Sequence, residues 1–196
     1  MDVRSNAPSK RRKISTSSQM EHVQRTVRTE ESRELREPSE DDGTQSFDEE
    51  GDVGVLRTWR AMCPKLQERW PEDEQPKEWE GVTIENGRVV ELDLECFDLT
   101  GVVPAEIGQL TSLRVLDLGN NDLRSVPAEI GQLAALEELH LDDNQLTSLP
   151  AEFGQLTSLE GLFLKNNRLT SVPAAIRELR AAGCEVLMDV GVTFDE

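Results

Sequence analysis

The chain has 196 residues, of which 36% are hydrophobic, 31% charged and only 4% aromatic, and its formal net charge is −18. Residues 1–50 carry 9 Lys/Arg against 12 Asp/Glu, while residues 51–196 carry 12 against 27, so the acidity belongs to the part that has apolar residues to bury. Such a chain lacks the basic stripes that bind nucleic-acid phosphates or anionic membranes, and it favours a partner that is itself basic.

Residues 1–50 are rich in Ser, Thr, Glu and Arg and poor in branched apolar side chains. They cannot bury enough surface to offset the entropy of ordering them, so a disordered tail is expected. Within it Lys10, Arg11, Arg12 and Lys13 follow Pro8 and resemble a nuclear-import signal. Ser15, three residues after Arg12, is a candidate phosphorylation site whose added charge would offset that basic run.

Residues 51–86 read as a cap. In DVGVLRTWRAMCPKLQERW (52–70), Val55, Leu56, Trp59, Met62 and Leu66 share a helical face, and Pro64 predicts a break or kink. An acidic, proline-containing connector with Trp79 near its end follows.

Residues 87–178 hold four coils of a repeat. Leu110, Leu133, Leu156 and Leu179 are each 23 residues apart, and the segments between them are LTSLRVLDLGNNDLRSVPAEIGQ, LAALEELHLDDNQLTSLPAEFGQ and LTSLEGLFLKNNRLTSVPAAIRE. Each contains L-x-x-L-x-L-x-x-N-x-L, and on that signature the chain resembles the leucine-rich-repeat family over about residues 79–190. The alternation is itself informative. In LRVLDL, Leu116 and Leu118 point one way while Val115 and Asp117 point the other, as in a short strand. Leu139/Leu141 and Leu162/Leu164 repeat this, so equivalent leucines stack into a core that no single coil could bury alone.

Asn121, Asn144 and Asn167 fall where the chain leaves the strand, where an amide can donate and accept at once and satisfy turn backbone. Pro127, Pro150 and Pro173 open a short helical return from which Ile130, Phe153 and Ile176 point inward. The first coil, GRVVELDLECFDLTGVVPAEIGQ, has one extra residue before its proline and Phe97 in place of the asparagine. Residues 179–196 are expected to close the far end, with a helix stopping at Gly183 and CEVLMDV as the last strand. The fold class expected is α/β: a solenoid with a short parallel concave sheet and a helical or irregular convex side.

The segment WEGVTIENGRVVELDLECFDLTGVVPAEIGQL resembles the first coil of plant-type leucine-rich-repeat proteins, through Trp79, Gly81, Val82, Arg88, Val89, Leu92, Leu94, Leu99, Thr100, Gly101 and Pro104. It departs from them at Ile84, where those proteins carry a cap cysteine. The later coils are similar to the Ras-suppressor-type repeats of intracellular scaffolds. Both resemblances imply protein recognition.

No catalytic constellation is visible. Cys63, Cys96 and Cys184 are far apart, and nothing in the spacing brings His22 or His140 to a thiol. No paired metal ligands and no phosphate-binding glycine loop occur, so neither an enzyme nor a cofactor is expected. Three scattered cysteines, no leader-like apolar run after the basic start and no membrane-length apolar run set the expected location as cytoplasmic, possibly nuclear.

The expected binding surface is the concave face, where residues flanking the inward leucines point outward. Asp93, Asp117, His140 and Phe163 form the central column. Glu91, Val115, Glu138 and Gly161 precede them, and Glu95, Gly119, Asp142 and Lys165 follow. Stacked at ~4.8 Å, these side chains form one patch that grades from acidic to Phe163 and Lys165. His140 stands among Glu138, Asp142 and Asp117, a setting that suits a pH-sensitive group as well as a merely exposed one. The resulting expectation is a monomeric protein-interaction module, a signalling adaptor or scaffold whose partner carries a basic segment. The alternatives are an acidic nuclear protein binding histones and a fragment or relic of a larger receptor or ligase.

Overall fold

A computed structural model describes residues 51–196. The Lys10–Lys13 run and Ser15 lie outside the described residues.

The described residues begin with two helices, α1 (Asp52–Met62) and α2 (Pro64–Arg69). They meet at Cys63, whose extended backbone (φ −119°, ψ 106°) breaks the apolar periodicity as the residue before a proline tends to do. Val55, Leu56, Trp59 and Leu66 are buried from these helices, whereas Met62 is 58% exposed. A short 3-10 turn, Pro76–Glu78, leads to Trp79. Its ring stacks on Trp70 with centroids 5.0 Å apart and planes 6° from parallel. The Nε1–H of Trp70 donates to the Glu80 carbonyl at 2.8 Å and that of Trp79 to the Pro71 carbonyl at 3.0 Å, so both indoles are buried without an orphaned donor.

Ten strands follow: β1 (Val82–Glu85), β2 (Arg88–Asp93), β3 (Thr100–Val102), β4 (Val115–Asp117), β5 (Asp122–Ser125), β6 (Glu138–His140), β7 (Gly161–Phe163), β8 (Ser171–Val172), β9 (Glu185–Leu187) and β10 (Thr193–Phe194). Among the described residues the main sheet has six strands in the order β1-β2-β4-β6-β7-β9. Its first pair is an antiparallel hairpin turned at Asn86 and Gly87, both at positive φ (50° and 78°), as a tight two-residue turn requires. Every later pair is parallel and in register, each step one coil of the repeat. Two smaller parallel pairs, β3 with β5 and β8 with β10, lie where the chain has left the main sheet.

On the return side, Pro104, Pro127 and Pro150 each stand in extended conformation before a 3-10 turn: Ala105–Gln109, Ala128–Gln132 and Ala151–Gln155. Pro173 opens a true helix, α3 (Ala174–Ala181). The returns pack backbone against backbone, because a Cβ on Gly131 would fall 2.5 Å from the Glu152 carbonyl oxygen. The core between sheet and returns is continuous. Leu92, Leu116, Leu139 and Leu162 from successive strands are fully buried, as are Ile107, Ile130, Phe153 and Ile176 from the returns.

The asparagines join the coils. Asn144 Oδ1 accepts from the Leu123 backbone N–H (2.9 Å). Its Nδ2 donates to the carbonyls of Leu118 (2.8 Å), Asp142 (3.2 Å) and Leu141 (3.3 Å), so one amide ties its own coil to the preceding one. Asn121 repeats this with Leu99 and Leu94, and Asn167 with Leu146 and Leu141. Among the described residues no buried side-chain nitrogen or oxygen lacks a partner.

The departure at Phe97 has a physical reason. An asparagine there would have no earlier coil of the repeat to bond. The ring is instead buried, with the Arg69 guanidinium 4.3 Å above its centre. The cap is fastened by Asp52, which is 7% exposed: its Oδ2 accepts from Arg88 Nε at 2.9 Å and from the Val89 backbone N–H at 2.8 Å.

Candidate functional site

The outward side chains of the main sheet fall into two strand columns. The register places Glu91, Val115, Glu138, Gly161 and Glu185 in one, and Asp93, Asp117, His140, Phe163 and Leu187 in the other. Glu95, Gly119, Asp142 and Lys165 follow just beyond the strand ends. The alternation that buries Leu116 or Leu139 is what turns these residues outward, so the surface is a direct by-product of the core.

At its first end the surface is acidic. Asp93 Oδ1 accepts from the Glu95 backbone N–H (3.2 Å) and Asp117 Oδ1 from that of Gly119 (2.8 Å), which fixes both carboxylates at the strand ends. Glu95 Oε1 accepts from Asn120 Nδ2 at 2.8 Å. Gly119 sits between two acids, since a Cβ on it would lie 3.1 Å from Asp117 Oδ1 and 3.7 Å from Asp142 Oδ1. Burial pushes the Asp117 carboxyl above its ordinary pKa, and Asp93 and Glu95 push the same way against the Gly119 hydrogen bond and His140. A half-buried carboxylate gathered among others is an unfavourable placement for folding, and a cationic partner would relieve it.

At the other end lies an aromatic pair. The rings of His140 and Phe163 stack with centroids 4.2 Å apart and planes 12° from parallel. His140 Nε2 is 3.2 Å from Glu138 Oε2. A Cβ on Gly161 would lie 2.9 Å from Phe163 Cε2, so the Phe163 ring folds back over that glycine. Lys165 is exposed one column further on.

The columns run one strand further than the leucine consensus marks. Glu185 and Leu187 flank the buried Val186 on β9 and extend both columns to a fifth position; the same alternation in CEVLMDV was their signal. At the opposite edge Thr83, on the hairpin strand, pairs with Glu91 and donates to its carboxylate at 3.4 Å.

All three thiols are free. Cys96 is exposed and Cys63 half-buried, and burial together with Glu185 pushes the Cys184 thiol up, which keeps it protonated. A shallow depression beside the concave face is lined by Glu137, Ser158, Glu160, Leu179, Cys184 and Glu185, a set without a base-activated nucleophile. Among the described residues no group of three His, Cys, Asp or Glu is arranged to hold a metal.

Residues 84–189, more than half of the chain, match the family described as leucine-rich repeat region. With its asparagine-laddered coils and parallel sheet, the chain belongs to the leucine-rich repeat family, whose fold serves protein interaction. Over 72 residues it is 40% identical to the LRR receptor-like serine/threonine-protein kinase FEI 2 of Arabidopsis thaliana; the match takes in 36% of this chain and only 10% of that protein. Among solved structures it is similar to the BIR2 ectodomain from Arabidopsis thaliana, with 25% identity, a TM-score of 0.60, and coverage of 74% of this chain and 82% of that one. It is also similar to the ectodomain of the plant receptor kinase GASSHO1/SCHENGEN3 from Arabidopsis thaliana in complex with CASPARIAN STRIP INTEGRITY FACTOR 2. That match has 26% identity and a TM-score of 0.57, and covers 71% of this chain and 17% of the receptor.

These relatives correct the expected location. They are a receptor-like kinase and receptor ectodomains, which point to an extracellular or membrane setting rather than to cytoplasm or nucleus. The histone-binding alternative falls with the nuclear placement. The physical reason for the error lies in the cysteines. Leucine stacking and the asparagine ladder close the coils with Cys63, Cys96 and Cys184 all free, so the lack of a disulfide framework carries no information about redox compartment. Among the described residues no helix is long and apolar enough to cross a membrane.

Proposed function

We propose that the concave face is a non-catalytic recognition surface, acting as a monomer, for a basic segment of a protein or peptide partner in receptor-type signalling. The observation that carries this reading is the composition of one continuous surface. Glu91, Asp93, Glu95, Asp117, Glu138, Asp142 and Glu185 face outward from four of five consecutive parallel-paired strands and their ends, and Lys165, beside the strand that carries no acid, is the one lysine in these columns. Acidic side chains held this close repel one another, and a basic segment lowers that repulsion as it docks. The receptor half of the larger-protein alternative is supported by the matched receptor kinase and by the receptor ectodomain in complex with CASPARIAN STRIP INTEGRITY FACTOR 2.

The test is calorimetric titration of the full chain with hexalysine at ~0.15 M salt, against a variant carrying Asp93→Ser, Asp117→Ser and Glu138→Ser. The expected result is at least a tenfold loss of affinity in the variant. Equal affinity would move the binding surface off the concave face.

A further inference from the structure

The aromatic end of the concave face has a structure that charge alone does not account for. One face of the Phe163 ring is covered by His140, 4.2 Å away on the preceding strand. Because the two rings are nearly parallel and belong to neighbouring strands, the other face of Phe163 is turned along the solenoid towards β9. The ring folds back over Gly161, away from Lys165, and the residues in register with Gly161 and Phe163 on β9 are Glu185 and Leu187. The second face of the half-buried Phe163 is therefore turned towards the strand that carries the exposed Glu185 and the half-buried Leu187.

Resting on the concave-face reading above, we propose that this second face of Phe163, with Glu185 and Leu187 beside it, is the seat for a single arginine side chain of the partner. An aromatic face is the negative pole of the ring quadrupole and attracts a cation placed over it. A guanidinium is planar and weakly hydrated, so it stacks on the ring while its edge donates two parallel hydrogen bonds to the Glu185 carboxylate. A lysine ammonium is a strongly hydrated point charge and gains less from the same surroundings. Leu187 supplies apolar contact for the side-chain stem. The His140 ring, held against Glu138, backs Phe163 from the opposite side and limits its rotation. The seat selects arginine over lysine, whereas the acids from Glu91 to Asp142 respond only to charge.

The experiment measures affinities of the full chain for hexa-arginine and hexalysine at ~0.15 M salt, in the parent and in Phe163→Leu, Glu185→Gln and the triple-serine variant. The parent is expected to prefer hexa-arginine by about threefold or more, a ratio in keeping with one exposed cation–π contact. Phe163→Leu keeps an apolar side chain but removes the ring face, and Glu185→Gln alters one exposed group. Each is expected to bring the ratio close to one by weakening hexa-arginine more than hexalysine. The triple-serine variant is expected to weaken both peptides and leave the ratio in place. An undiminished ratio in both Phe163→Leu and Glu185→Gln would overturn the arginine seat and leave the acidic face standing. Failure of the parent to bind either peptide would overturn the concave-face reading and the seat with it.

Discussion

Asp52 and Arg88 join the cap to the first coil: one carboxylate oxygen of Asp52 meets Arg88 Nε at 2.9 Å and also takes the Val89 backbone N–H at 2.8 Å. The pair is unequal, since the Asp52 side chain is 6% exposed and that of Arg88 46%. Removing the acid strands a buried backbone donor, whereas removing the arginine leaves the Asp52–Val89 bond intact. Asp52→Ala is therefore expected to cost about 2 kcal/mol and Arg88→Ala about half of that, measured by urea unfolding of the full chain. A larger loss for Arg88→Ala would contradict this ranking.

Replacing Asn144 by Ala is expected to cost about 3 kcal/mol, because four backbone groups lose a buried partner at once. Asn121→Ala should match it, since Asn121 is equally buried at 7%, while the half-buried Asn167 should cost less as water reaches its partners. Thermal unfolding of the three variants side by side tests the order.

Phe97→Asn restores the residue that the repeat consensus prefers and is nevertheless expected to destabilise by about 3 kcal/mol or more. It removes a buried ring beneath Arg69 and inserts an amide with no earlier coil to receive it. A neutral or stabilising result in denaturant unfolding would show that the cap offers partners the structure does not.

Two glycine-to-alanine changes are expected to separate stability from recognition. Gly131→Ala drives a Cβ to 2.5 Å from the Glu152 carbonyl oxygen, a backbone atom that cannot step aside, and should cost about 2 kcal/mol or more. Gly161→Ala meets the movable tip of the Phe163 ring at 2.9 Å. It should leave stability within about 1 kcal/mol while abolishing the arginine preference of the concave face. Unfolding and peptide titration on the same samples check both.

The raised pKa of Asp117 sets a pH dependence with a definite sign. A carboxyl whose folded pKa lies above its unfolded value is favoured in its protonated form by folding. Its contribution to stability is present below the ordinary carboxylate pKa and is lost as pH rises through the raised one. Asp117→Asn should consequently raise stability at pH 7, and this advantage should shrink as the pH falls below the ordinary carboxylate range. The same variant should bind hexalysine more weakly. Loss of stability at pH 7 would mean that the carboxylate is held by contacts that outweigh its desolvation.

The spacing of Leu110, Leu133, Leu156 and Leu179 was enough to read the coils, their register and most of the concave columns, because one periodicity both fills the core and exposes the face. The β1–β2 hairpin lies outside the leucine periodicity, and its signal is a different one, Asn86-Gly87 between alternating runs. Glu185 and Leu187 were missed because the closing strand departs from the leucine consensus while keeping its alternation. The stacking of Phe163 on His140 and its fold over Gly161 depend on rotamers, which alternation does not specify.

The asparagine ladder has a direction. Every rung reaches back: Asn121 to Leu94 and Leu99, Asn144 to Leu118 and Leu123, Asn167 to Leu141 and Leu146. Peeling a coil from the trailing end uncovers backbone groups of the coil before it, whereas peeling one from the leading end uncovers the side-chain amide of the coil behind it. The two ends are therefore chemically unlike, as the ends of a zipper are. That asymmetry matches how they are finished, with two helices, a stacked tryptophan pair and a hairpin at the front, and one helix with short strands at the back. Lengthening such a solenoid by adding coils behind α3 would disturb it less than inserting one ahead of Phe97.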